Sequence, residues 1–527
     1  MKKSIILRAV ATSWLAVLAS AAVGFALTPY ILHRIGDEAF GLWVLVTSLV
    51  GYYGFLDIGI RSSILRYVSR YQSLGDQELV NEVVSTAFYY YLAACALLVA
   101  ATYLTAGWIP GFFSVSSHLV GPFKDLFLLA GLIQGLTLPL VVFAAALEAT
   151  GRYDQAYLST IVGLGLRVVA VVWVLRLGGG LFAVGAVTLL SQLVVYMIQV
   201  PLAFRSHPEL SIRPKWVRKR VMRDLVGYGS VSLAVGVAER LRSYIYPVLI
   251  ALFLTPIDVT VFSLPMKLMT LPQQGVGTMT EFVNPLSSHL EARKDFAKLR
   301  QLSLLSEQGA FLTLLPLAAI LIVFGRELLT LWVGAQYIFA YPLLVLVTLG
   351  MGAAATQCCA QSMLFGIERH KALIGYRMLE GLSAAVLGSL ALRLWGLEGF
   401  AAVLAVTLLL TSLVLVPRHL CRVLDASWRQ YFVQGCLKPC LVTLPTIVVL
   451  LLWHRWLAVT SWTDMTAVVL VAGAVFGLTL LWSAASRPDR WQHVEVLGFV
   501  AHRLLPARVF ARPAAVPALP SEEPSQD

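Results

Sequence analysis

The sequence predicts an all-α, polytopic membrane protein, and three observations predict it. Of its 527 residues 58% are apolar and only 13% charged, against about half apolar and roughly a quarter charged in ordinary soluble domains. That shortage of charge excludes a water-soluble enzyme. The mean hydropathy of +0.79 is spread over the whole length, and apolar runs of about 20 residues recur from end to end. The runs are unbroken rather than alternating, which excludes a transmembrane barrel.

Fourteen spans are expected, at 9–32, 40–64, 83–108, 123–148, 155–177, 180–204, 224–253, 259–286, 304–325, 339–365, 372–394, 398–417, 438–454 and 465–484. The first follows Met1-Lys2-Lys3 and passes Ala19-Ser20-Ala21, a sequence like a signal-cleavage site. Its apolar run continues through Val23, Phe25 and Leu27, so it reads as an uncleaved span. The eighth carries Pro265, Pro272 and Pro285 with Gly275 and Gly277, and interior prolines predict a kinked or hinged helix. The longest internal connections, near 205–223 and 418–437, are too short for a separate domain. Beyond 485, Trp491, Val494, Leu497, Phe499 and Leu504 suggest an interfacial helix, and Arg512 to Asp527 a disordered tail.

Lysine and arginine counts give the orientation. With the N-terminus inside, cytoplasmic segments hold 29 of these residues and the opposite side 6, which predicts both termini in the cytoplasm. In such a chain the net charge of +12 reports loop orientation and anionic lipid rather than nucleic acid. Cys95, Cys358, Cys359, Cys421, Cys436 and Cys440 lie in or beside apolar runs without ligand-type spacing, so no disulfide or metal is expected.

The chain also repeats itself. Val174-Leu175-Arg176-Leu177 recurs as Ala391-Leu392-Arg393-Leu394, and Gly180 to Leu190 matches Gly399 to Leu409 at eight of eleven positions. Spans five and six thus fall on eleven and twelve, as in a parallel duplication about an axis along the membrane normal. The expected organisation is a six-helix lobe at 1–204, a basic linker at 205–223, a second six-helix lobe at 224–420, an extra helix pair at 421–485 and an interfacial segment with tail at 486–527. A cleft between the lobes is the expected substrate path.

Charges inside spans are costly, about 2.5–3.5 kcal/mol each at a helix centre, and so point to function. Arg167, Arg240, Arg242, Lys267 and Arg377 lie within spans, with Arg61 at the end of span two. Their acidic companions are Asp57, Glu239, Glu281 and Glu380. Spacing pairs Asp57 with Arg61, Glu239 with Arg242 and Arg377 with Glu380. The bland reading is that such pairs only join helices. Against it, Arg167, Arg240 and Lys267 have no same-helix partner, and a cationic cleft suits an anionic headgroup, since arginine's planar fork matches phosphate.

Pro29 to Trp43 with Gly36-Asp37-Glu38-Ala39-Phe40-Gly41, then Leu56-Asp57-Ile58-Gly59-Ile60-Arg61 and Glu239-Arg240, resembles the polysaccharide transporters of the multidrug/oligosaccharidyl-lipid/polysaccharide flippase superfamily, of the O-antigen flippase type. The resemblance implies a multi-pass protein of the bacterial inner membrane that moves polyprenyl-diphosphate-linked oligosaccharide outward by alternating access. Spans 1, 2, 7 and 8 would line the cleft, where Arg61, Arg240, Arg242 and Lys267 fall. Arg61, Arg167, Arg240, Arg242, Lys267 and Arg377 are then the substrate-binding candidates, and Asp57, Glu239, Glu281 and Glu380 the ion-coupling ones. No cofactor is expected beyond a proton or sodium gradient, since no phosphate-binding Gly-x-x-x-x-Gly-Lys loop is present. The implied partners are the lipid-linked substrate, membrane lipids, and polysaccharide polymerase and chain-length machinery. Two alternatives stand beside this one: a multidrug or small-cation exporter, disfavoured by the positive excess, and a membrane glycosyltransferase or polymerase using Asp37-Glu38, disfavoured by the lack of a large outer loop.

Overall fold

A computed structural model of the chain describes residues 3–57 and 59–485, without the side chains of 3–11, 228–235, 278, 281, 484 and 485. The proposed interfacial segment and tail at 486–527 and the Glu281 side chain lie outside the described residues.

The described residues are helical, joined by short turns, and form a multi-pass membrane protein. In order the helices are α1 (Lys3–Ile35), α2 (Asp37–Asp57), α3 (Gln77–Thr105), α4 (Val120–Ala149), α5 (Tyr153–Arg176), α6 (Leu181–Ser206), α7 (Lys219–Phe253), α8 (Pro256–Ala292), α9 (Phe296–Val323), α10 (Ala335–Gly366), α11 (371–395), α12 (397–423), α13 (Trp428–Trp456) and α14 (Trp462–Ala485). Each coincides with one of the fourteen expected spans. Hydrogen bonding runs on from α11 into α12, but Gly396 at φ 63°, ψ −149° breaks the 53-residue rod in two. Gly178, between α5 and α6, also has a positive φ of 81°. The sequence repeat therefore preserves a turn after Arg176 and after Arg393.

Helix boundaries follow local chemistry. Pro256 sits in the first turn of α8 behind a capping box, in which Asp258 Oδ2 accepts from the Thr255 amide at 3.0 Å. Asp76 and Asp295 cap α3 and α9 by accepting from Leu79 N at 3.0 Å and Lys298 N at 3.1 Å. The α8 helix runs unbroken through Pro265, Pro272 and Pro285, as membrane helices do when neighbours re-satisfy the freed carbonyls.

The expected span 40–64 is interrupted at the end of α2, which tightens to a 3-10 turn over Tyr52–Asp57; Gly59 takes φ 66°, and a separate helix Ile60–Ser73 follows. That helix is amphipathic. Ile60, Ile64 and Val68 are fully buried against Val80, Val84, Leu210, Val221 and Leu225, each such side chain contributing about 1.5–3 kcal/mol.

Among the first six helices, α4 packs on α3 and α6, and α5 on α1 and α6. In the second half α8 packs on α9 and α10, α9 on α13, and α7 on α11. α2 joins the halves by lying against both α7 and α8. At its start, a Cβ on Gly41 would lie 1.8 Å from the Pro256 carbonyl oxygen, Thr260 donates to the Asp37 carbonyl at 2.6 Å, and Tyr337 donates to the Asp37 carboxylate. This end of the bundle is closed.

Candidate functional site

The face of α2 turned to α7 and α8 is where the intramembrane charges gather. Gly54 has no side chain because the Arg240 guanidinium lies where one would be, 2.8 Å from an ideal Cβ. Arg240 donates to the Gly54 carbonyl and places Nη2 3.8 Å from Asp57 Oδ2. Asp57 also accepts from the Tyr91 hydroxyl, and Tyr90 donates to the Leu56 carbonyl at 3.1 Å. Tyrosines on α3 thus hold the 3-10 turn that presents Asp57 to Arg240.

The expected Asp57–Arg61 side-chain pair is not formed. Arg61 donates from Nη2 to Glu148 Oε1 on α4 at 2.7 Å, and only its backbone amide reaches Asp57, at 3.4 Å. The left-handed Gly59 takes the two residues out of helical register, so spacing alone misassigned both partners. Beside Arg240 a cavity of about 290 Å³ opens between α2, α4, α6 and α7, lined by Trp43, Thr47, Gln134, Gln192 and Tyr244.

Lys267 is also near Trp43. Its Nζ lies 4.6 Å above the Phe40 ring and 6.0 Å from that of Trp43, and donates to Thr28 Oγ1 on α1 at 3.2 Å. Cation–π contacts contribute about 0.5–1 kcal/mol each when exposed and about 2 when desolvated, a partial replacement for lost water. The Arg167 guanidinium on α5 is near enough to act electrostatically on Lys267, and its buried Nε has no hydrogen-bond partner. Among the described residues neither cation forms an ion pair with a carboxylate.

Lys267 also lines a mostly apolar cavity of about 670 Å³. Phe25 on α1, Leu271 on α8, Leu317 and Ile320 on α9, and Trp332 in the connection after α9 form its walls. Gln274 Oε1, also in the lining, is buried and unpartnered. A cation in the wall of a mostly apolar chamber suits an anionic amphiphile.

The remaining candidates assemble elsewhere, between α7 and α11. Arg242 pairs with Glu239 and lies 3.4 Å from Glu380; Arg377 lies 3.0 Å from Glu239 and 2.7 Å from Glu380. Both same-helix pairs expected from spacing are present, and the structure crosses them into a four-member ring of alternating charge. Gln361 accepts from Arg377 at 2.6 Å and Thr411 donates to Glu380 at 2.6 Å. Arg242, Arg377 and Glu380 are nearly buried. The ring is electrically closed, so among the described residues Lys267 and Arg167 have no carboxylate partner, Arg240 and Arg61 are each partly exposed with one carboxylate partner, and Arg242 and Arg377 are fully engaged.

Sequence reasoning passed over Glu148 and Glu307. Glu148 ends α4 and pairs across the fold, which no spacing reveals. Glu307 had a signal, a carboxylate inside an apolar helix, but neighbouring Ser306 and Gln308 make it read as a span end.

Residues 31–342 match the family described as polysaccharide biosynthesis protein. No curated protein matches the chain. Among solved structures it is similar to the lipid II flippase MurJ in an inward closed conformation, with 13% identity over 91% of this chain and 99% of that one and a TM-score of 0.70. It is also similar to a multidrug resistance MATE family transporter of the MOP superfamily in the inward-facing conformation, at 15% identity over 80% of this chain and 99% of that one, TM-score 0.68. An outward-facing MATE family transporter matches at 13% identity over 80% and 95%, TM-score 0.57. These likenesses give the fold.

Proposed function

The chain belongs to the polysaccharide biosynthesis protein family, and from that premise we propose that it is a flippase for polyprenyl-diphosphate-linked oligosaccharide, working by alternating access in the bacterial inner membrane. The observation that carries the reading is Lys267, with Arg167 nearby, in the wall of the mostly apolar chamber between α1, α8 and α9. A diphosphate supplies the missing negative charge, and an isoprenoid chain fills a cavity with apolar walls. Arg240 lines the smaller cavity that Trp43 also lines, where it meets the second phosphate or the first sugar. Thr47, Gln134 and Gln192 beside it offer hydroxyl and amide groups to a glycan.

Unaided passage is prohibitive, because each unsatisfied polar group in hydrocarbon costs several kcal/mol. A wet path between helices removes that barrier without covalent chemistry, so the protein acts as a transporter and not as an enzyme. With lysine and arginine concentrated inside, both termini are cytoplasmic and the closed end at Gly41 and Pro256 faces out. The state described is then the one that loads from the cytoplasm.

Asp57, Glu239 and Glu380 each face a guanidinium; the Asp57–Arg240 contact crosses between the halves, so their movement can exchange its partners, and a proton or sodium gradient supplies the drive. Polymerase and chain-length machinery outside would consume the product. The small-cation exporter reading is weaker, since a cationic chamber repels its substrate.

The test is gene deletion with complementation, reading lipid-linked sugar on each membrane face. The deletion strain accumulates complete repeat units on the cytoplasmic face, and wild type restores export. Lys267→Ala with Arg167→Ala fails to restore it at unchanged protein abundance. Full export by that double variant contradicts the proposal.

A further inference from the structure

Glu307 on α9 is completely buried, as are Gln357 and Thr356 beside it, while Tyr431 and Cys436 are 3% and 5% exposed. Gln357 Nε2 donates to its Oε1 at 2.5 Å, Tyr431 Oη donates to Oε2 at 2.7 Å, and Cys436 Sγ lies 4.0 Å from Oε1. The titratable groups facing it are Cys358 and Cys359 from α10, Cys421 from α12, and Tyr431 and Cys436 from α13. None of these is a cation. Asp57, Glu239 and Glu380 each face a guanidinium; among the described residues Glu307 is met by neutral donors alone.

Two helices depart from regular geometry to meet it. α10 is interrupted at Gln357, between the helical segments Tyr341–Thr356 and Cys358–Gly366. α13 contains a π-turn over Phe432–Leu437, which brings Gly435 against the Glu307 chain, where an added Cβ would lie 3.1 Å from Cγ. Irregular turns of this kind concentrate at functional sites. Gln357 Oε1 is buried with no partner, so turning the amide over would present an acceptor to Glu307 in place of the present donor. The cluster can therefore satisfy the carboxylate and the carboxylic acid alike. It does not suit a metal ion, which needs several oxygen ligands around it where two of the three contacts here are an amide N–H and a thiol.

We propose that Glu307 is a proton-binding site of the second half of the molecule, taking a proton onto one carboxylate oxygen, with Gln357 and Tyr431 exchanging donor and acceptor roles as it comes and goes. A buried carboxylate without a counter-charge is unfavourable in a low-dielectric interior, and a proton removes the charge without adding bulk. Uptake of the proton would turn the charge-assisted bond from Tyr431 into a weaker neutral one and so loosen α13 from α9. The site stands on its own geometry; its use to couple transport to a proton gradient rests on the function proposed above.

The test is infrared spectroscopy of the full chain in lipid nanodiscs, titrated through neutral pH, with wild type, Glu307→Gln, Glu307→Asp and Tyr431→Phe. A protonated-carboxyl band present at neutral pH, absent in Glu307→Gln and shifted in Glu307→Asp and Tyr431→Phe, supports the site. Identical wild-type and Glu307→Gln spectra overturn it, as does a band abolished by sodium at fixed pH. If Glu307→Gln does not remain monodisperse, the shift in Glu307→Asp and Tyr431→Phe decides, and no shift overturns the proposal. Flipping assays on the same samples separate the two readings: a Glu307 band in a protein that does not flip lipid-linked sugar keeps the proton site and removes the transport function.

Discussion

Arg240 on α7 lies 3.8 Å from Asp57 on α2 and donates to the Gly54 carbonyl one turn earlier. The contact ties the two halves of the bundle together at a half-exposed position, where an ion pair contributes about 1 kcal/mol or less. Arg240→Gln and Asp57→Asn are therefore expected to leave the melting temperature almost unchanged while lowering transport several-fold. Exchanging the two charges, Asp57→Arg with Arg240→Asp, is expected to recover part of the loss. Parallel melting and flipping measurements check this.

Gly54→Ala should reproduce the Arg240 defect without touching a charge. The new methyl would sit 2.8 Å from the guanidinium carbon, and the arginine must leave Asp57 to make room. Transport comparable to that of Arg240→Gln, with helical content intact by circular dichroism, is the expected result.

Gly41→Ala acts at the closed end. A methyl cannot coexist with the Pro256 carbonyl oxygen at 1.8 Å, so α2 must withdraw from α8. A cysteine placed at the fully buried Thr260 is expected to react with a membrane-impermeant maleimide several-fold faster in the Gly41→Ala background than alone.

The charge ring behaves differently. Arg242→Ala leaves Glu239 and Glu380 to share Arg377 alone, an excess of one buried negative charge, and losing one partner of a buried pair costs about 3–5 kcal/mol. Protein abundance and melting temperature fall together, whereas Lys267→Ala leaves both near wild type. This contrast, measured by quantitative immunoblot and thermal shift, separates the ring from the unpaired cations.

His207, in the connection between α6 and α7, has a pKa held below its usual value by burial, only partly offset by the Ala146 carbonyl. The folded protein resists the proton that the unfolded chain binds, so stability is complete above the unfolded value of about 6.5 and falls as pH drops below it. Melting curves across that range should flatten in His207→Gln.

Much of this architecture was legible because the bilayer imposes a length on every apolar run, and the same physics made the charges inside those runs conspicuous. The repeat around Arg176 and Arg393 even marked the turn at Gly396, which hydrogen bonding alone runs through. Partners were less legible. Asp57 and Arg61 sit four residues apart and read as a pair, yet one left-handed glycine sends Arg61 to Glu148 and Asp57 to Arg240. Contacts between helices distant in sequence decide which cations are neutralised, and the sequence carries no such distances.

Binding of farnesyl diphosphate to the purified chain tests the central claim most directly, because it needs neither the native glycan nor a working transport cycle. Titration in detergent is expected to show saturable binding to wild type that weakens at least tenfold in Lys267→Ala with Arg167→Ala, about 1.4 kcal/mol, and is unchanged in a control exchange at exposed Lys298. Equal affinity for wild type and the double variant would contradict the assignment of these two unpaired cations as the diphosphate site.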